Sequence, residues 1–177
     1  MSARYHTLAL LLSITLAYLW LQVPTLRQFS FQIFALLVFI FFMVKRFKKA
    51  KLWHILPDWA SLEITLITFA FLLLIGSTDN TESIFYPLTY IHLFLLVMTS
   101  HTQTAIVATI AIMLFHYALE PNMEMATIQA LITLPIMLAI FLFARKEYDE
   151  AHLAKLAAAR EESLRETNSN QTSDQAD

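Results

Sequence analysis

Apolar residues fall in six long runs, at residues 7–23, 29–44, 59–75, 83–100, 104–119 and 126–144, separated by short polar or proline-bearing breaks. A helix rises about 1.5 Å per residue and the hydrocarbon core of a bilayer is about 30 Å thick, so each run is long enough for one crossing, most of them at the short end. Pro24, Pro57, Gly76 and Pro121, or a run of charge, occupy the breaks, and such residues end helices or mark turns. The break at residues 101–103 is the weakest; without it five crossings would remain. The pattern predicts an all-α integral membrane protein, a six-transmembrane-helix bundle over residues 1–144 with its last helix extended into the cytoplasm. Residues 145–166 then read as a charged cytoplasmic helix and residues 167–177 as a disordered polar tail.

Composition agrees with the pattern. The chain has 177 residues, 58% of them hydrophobic, with mean hydropathy +0.58, one Gly and no Cys. Thiol chemistry, disulfides and thiolate metal sites are therefore excluded. A net charge of −2 gives no reason to expect nucleic acid as a partner. Charge instead sets orientation: KRFKKAK places Lys45, Arg46, Lys48, Lys49 and Lys51 between the second and third runs, and the positive-inside bias puts that loop in the cytoplasm. Both termini then fall inside, and the loops bearing Asp79, Glu82, Glu120 and Glu124 fall outside, with Arg27 the one dissenting charge. A cleaved signal peptide is the alternative for the first run, but TLAYLWLQV offers no small-residue cleavage pattern. The localisation expected is a bacterial cytoplasmic (inner) membrane, with the lipid bilayer as the first partner.

With one Gly, close helix approach must rely on Ala, Ser and Thr. TAIVATIAIM supplies such a face through Thr104, Ala108 and Ala111 or Ile112, with Ala105, Thr109 and Ile112 beside them, whereas the second run is bulky and aromatic all round and reads as lipid-facing. Ionisable groups at membrane depth are candidates for function. Glu63 is the one carboxylate well inside a run, and His92, placed near the middle of the fourth, could hydrogen-bond it as a proton-sensing pair. The plainer alternatives are that Glu63 reaches the interface or the KRFKKAK cations, and that His92 meets a neighbouring hydroxyl or carbonyl. His116, toward the outer side of the fifth run, reads as too far from His92 in depth for a shared haem or metal site, so no metal and no cofactor is expected. Tyr86, Tyr90, Tyr117 and Trp20 read as an interfacial aromatic belt. Pro87 and Pro135, inside the fourth and sixth runs, are candidate helix hinges or static kinks.

ASLEITLITFAFLLLIGSTDNTESIFYPLTYIHLFLLVMTSHTQTAIVATIAIMLFHYAL resembles the six-span membrane input regions of bacterial sensor histidine kinases. Gly76, Ser83, Phe85, Pro87, Leu88 and Tyr90 stand where that family has a Gly-containing turn, Ser-Pro-Phe and an aromatic-rich fourth span with Leu-Tyr. Here Asp79-Asn80 fills the turn, and proline follows the phenylalanine. The resemblance implies a sensory module whose last span continues as a signalling helix toward a kinase core. No Gly-rich nucleotide loop is present, and His152 lacks the acidic residue and Pro-containing turn that follow a phospho-acceptor. No nucleophile, base and orienting group stand at useful spacing either, so no catalytic residue is expected.

The segment 144–166 has no Gly, Pro or β-branched residue and should be helical. Leu153, Leu156, Ala157 and Leu164 form a thin apolar stripe, interrupted by Arg160, that suits either a parallel homodimer or a single solvated helix. The functional expectation is a non-catalytic membrane module that relays a conformational change through this helix to a separate cytoplasmic kinase or regulator. The alternatives are a small transport component, such as a substrate-binding subunit, and a structural or assembly membrane protein.

Overall fold

The computed structural model describes residues 3–49, 59–120 and 124–174, with side chains from residue 163 onward outside the described set. Among the described residues the chain is all-α: α1 (Ala3–Gln22), α2 (Pro24–Arg27), α3 (Ser30–Lys49), α4 (Trp59–Ser77), a single 3₁₀ turn (Asn80–Glu82), α5 (Leu88–Thr99), α6 (Thr102–Leu119) and α7 (Met125–Asp174). The stretches 4–22, 102–119 and 125–162 are long and apolar enough to cross a membrane, and 30–43, 62–77 and 88–99 are shorter apolar helices. The chain is thus a multi-pass membrane protein by length and composition. Pro57, Pro121 and Lys51 lie outside the described residues, as do the side chains of Lys45, Lys48 and Lys49.

The breaks follow backbone chemistry. Val23 is extended (φ −93°, ψ 110°), as a residue before proline must be, and Pro24 then opens α2 at no cost because the first helical N–H has no partner to lose. Ser100 and His101 are also extended, so the weak break is real and α5 and α6 are separate helices. At the end of α4, Thr78 and Ser77 donate their hydroxyls to the Leu74 carbonyl at 2.7 and 3.1 Å, satisfying an acceptor that the helix leaves free.

The chain divides into two compact units, residues 1–141 and 142–177. In the first, α1 packs on α4 and α6, α3 on α4, and α5 on α4 and α6. The core is built from Ile14, Ala17, Leu21, Leu72, Leu73, Ile112, Phe115 and Leu134. Of the predicted small-residue face of α6, Thr104, Ala105, Ala108, Thr109 and Ile112 are buried and Ala111 is partly buried. Gly76 lets three helices meet, since a Cβ there would collide with Leu21 and stand 3.0 Å from Leu119 and 3.2 Å from Phe115. Outward faces are as apolar as inward ones. Leu8, Leu12, Leu16 and Leu19 of α1 are exposed at helical spacing, as are Ile132, Ile136, Ile140 and Phe143 of α7, while α3 exposes Phe31, Leu36, Phe39 and Phe42. Such stripes are stable against lipid and unfavourable against water, at about 25 cal/mol per Å² of apolar surface.

The fourth run needs a correction. It does not form one helix over 83–100: residues 83–87 are turns, closed by Tyr86 N–H to Ser83 O (2.9 Å) and Leu88 N–H to Phe85 O (2.9 Å), and α5 starts at Leu88. Its 12 residues span only about 18 Å at 1.5 Å per residue. Pro87 therefore lies before the helix rather than within it, where a missing N–H removes no helical hydrogen bond and bends nothing. Pro135, by contrast, does stand inside α7.

In the second unit, Arg145–Asp149 and Lys146–Glu150 form i, i+4 pairs at 3.6 Å, and Tyr148 stacks on His152 with ring centroids 6.3 Å apart. Leu153, Leu156 and Ala157 are exposed; the side chain of Leu164 lies outside the described set. Helix is assigned as far as Asp174, into the segment that composition marks as a disordered tail. TNSNQTSD contains neither Gly nor Pro to force an earlier stop, although its residue types are weak helix formers.

Candidate functional site

A cluster of polar groups in the first unit lies at the end that holds the α4–α5 connection and the end of α6. Asp79 and Asn80 both adopt left-handed backbone (φ 65° and 54°), which Asp and Asn tolerate better than other side-chain-bearing residues. What secures this turn is Asn80, which is 5% exposed. One amide hydrogen goes to the His116 carbonyl (2.8 Å) and the other to Glu120 Oε2 (3.1 Å). Its Oδ1 accepts from His116 Nδ1 at 2.6 Å. With both amide hydrogens committed to acceptors, Oδ1 must face the ring, so the imidazole is the Nδ1–H tautomer and Nε2 is a bare acceptor. That Nε2 is buried without a hydrogen-bond partner.

Glu120 follows the last turn of α6, where the helix dipole disfavours a carboxylate. Donors offset this: besides Asn80, Thr81 gives its hydroxyl to Oε2 at 3.1 Å. Thr81 also meets Thr127 of α7, oxygen to oxygen at 3.3 Å. Tyr86 completes the cluster, stacking edge-on against His116 (5.4 Å) and Tyr90 (5.8 Å) while its hydroxyl donates to the Ala130 carbonyl of α7 at 3.1 Å. Beside this network opens a cleft of about 650 Å³, whose lining includes Gln22, Arg27, Asp79, Asn80, Glu82, Glu120 and Glu124. Arg27, anomalous by the charge rule, lines the same cleft as four carboxylates.

The predicted site residues fall in different places. His92 is fully buried, and its Nε2 meets the Thr68 hydroxyl at 2.8 Å rather than Glu63; Thr68 in turn donates to the Ile64 carbonyl at 2.7 Å. Because Thr68 spends its only hydrogen on that carbonyl, the His92 ring is the donor to Thr68. Phe71 packs edge-on against the same ring at 6.0 Å. Glu63, partly exposed near the start of α4, makes its interactions elsewhere. His92 is in the second turn of α5 and its ring meets Thr68 in the middle of α4, whereas His116 is in the last turn of α6 and bonds Asn80 beyond the end of α4. Their facing groups are Asn80, Thr68, Tyr86 and aromatic rings, and among the described residues no group of three His, Asp or Glu could hold a metal ion.

Of the aromatic belt, Tyr117 is exposed as expected, but Tyr86 is buried and Trp20 and Tyr90 pack against the core. Asn80, Glu120, Tyr86 and Thr127 were not singled out by sequence reasoning as a site, because their association is tertiary. The available signal was the Asp79-Asn80 doublet, a residue pair suited to left-handed turns. Searches against family models, curated proteins and solved structures returned no match for this chain.

Proposed function

We propose that the chain is a non-catalytic sensory or signal-input module of a bacterial cytoplasmic membrane. It crosses six times, α5 and its preceding turns forming the fourth passage, with both termini and the basic α3–α4 loop in the cytoplasm. The polar cleft then faces outward, and α7 carries a change in bundle packing to a separate cytoplasmic kinase or regulator. The observation that supports this most is the make-up of α7: one helix contains an apolar span, an internal proline and an exposed charged segment bearing Leu153 and Leu156. A helix of that composition is suited to linking bundle packing with a partner, through rotation or displacement at the Pro135 position. The resemblance to sensor kinase input regions points the same way.

A small transport component is the second reading, favoured by the cleft near Gly76, Asn80 and Glu120. A structural or assembly role needs neither feature. Native mass spectrometry of the gently extracted protein separates them. A retained small molecule with no protein partner supports transport and contradicts the relay; a bound kinase or regulator supports the relay.

A further inference from the structure

Side chains of the α4–α5 connection hold the first turns of α7. Thr127, 1% exposed, faces Thr81, and the Tyr86 hydroxyl reaches the Ala130 carbonyl just under a turn later. Further along, Phe141 meets Phe94 of α5 edge-on at 5.4 Å. Pro135 falls between these attachments. Lacking an N–H, it leaves the Leu131 carbonyl without its helical donor, so α7 is weakest directly after the stretch that Tyr86 grips. The gripping turn is itself in a costly left-handed form, kept there by Asn80, whose amide is clamped to the end of α6 through His116 and Glu120. Strain of this kind persists only where surrounding bonds over-determine it.

We propose that Asn80 and Tyr86 form a latch, in which the clamped turn positions Tyr86 on Ala130, so that releasing the turn frees the first turns of α7 ahead of Pro135. Tyr86 is the positioning residue, because its ring contacts His116 while its hydroxyl holds α7. The functional use of the latch rests on the reading of α7 as the output element, but the latch itself is tested without any partner.

The chain has no cysteine, so introduced pairs are its sole thiol labelling sites. In the full chain in lipid nanodiscs, spin labels at Glu82→Cys and Met125→Cys, both exposed, report the distance across the latch; Leu8→Cys with Ile106→Cys serves as control. Tyr86→Phe removes one hydroxyl, and Asn80→Asp removes the amide hydrogens while keeping a side chain that tolerates the turn. Each is expected to lengthen or broaden the latch distance and leave the control pair unchanged, and the double variant to do no more than the larger single one. An unchanged latch distance in Tyr86→Phe, or a double variant equal to the sum of the singles, overturns the proposal. If Asn80→Asp disturbs the control pair, Tyr86→Phe alone decides. A lengthened latch distance with partner capture unaffected would count against the output reading and not against the latch.

Discussion

Asn80 and His116 hold each other twice, once through the ring (Nδ1 to Oδ1, 2.6 Å) and once through the backbone (Nδ2 to the His116 carbonyl, 2.8 Å). Two bonds between one asparagine and one residue of α6 fix both the rotamer of Asn80 and the backbone of the turn that carries it. The turn is thereby part of the bundle rather than a loop laid over it.

Substituting Asn80 separates the bonds from the strain. Asn80→Ala leaves buried partners unpaired, at a cost of about 1–3 kcal/mol, and also keeps a Cβ at φ 54°. Asn80→Gly loses the same bonds but relieves the backbone, and should recover about 1 kcal/mol of the loss. Unfolding in mixed micelles measures the difference; equal stabilities for Ala and Gly would show that the turn is not strained.

Thr68 and His92 should respond asymmetrically. Thr68→Val leaves the ring N–H of His92 buried without an acceptor, and is expected to destabilise by about 1–3 kcal/mol. His92→Phe should cost less, because Thr68 keeps its Ile64 carbonyl and the aromatic contact with Phe71 is retained. The same unfolding assay checks the order, and a costlier His92→Phe would contradict the hydrogen-bond account.

Gly76 tests the three-helix approach. Gly76→Ala drives a methyl into Leu21 and against Leu119, and should destabilise by about 1–3 kcal/mol. Adding Leu21→Ala makes room for the methyl, so the double variant should be more stable than the sum of the two single effects requires. Simple additivity would place the packing cost elsewhere.

These residues also mark how far the sequence could be read. The all-α class, the breaks at Pro24 and His101, the largely buried small face of α6 and the apolar exterior of α3 follow from hydropathy and residue size, which are local properties. Pro87 was misplaced inside a helix because Ile84, Phe85 and Tyr86 extend the apolar run, and hydropathy does not distinguish a turn from a helix of equal apolarity. Proline one residue before Leu88 was the legible clue, since proline is common at helix starts. The joining of Asn80 to Glu120, and of Tyr86 to Ala130, depends on residues 40 and 44 positions apart. Nothing periodic in the sequence encodes such a pairing.

The central claim, that α7 recruits a partner through its exposed charged segment, is tested most directly by affinity capture from native membranes of the full chain and of a variant lacking residues 153–166, with membrane insertion confirmed for both. The account predicts a kinase or regulator captured by the full chain and lost from the shortened one. The same proteins recovered in equal amounts with both would contradict it.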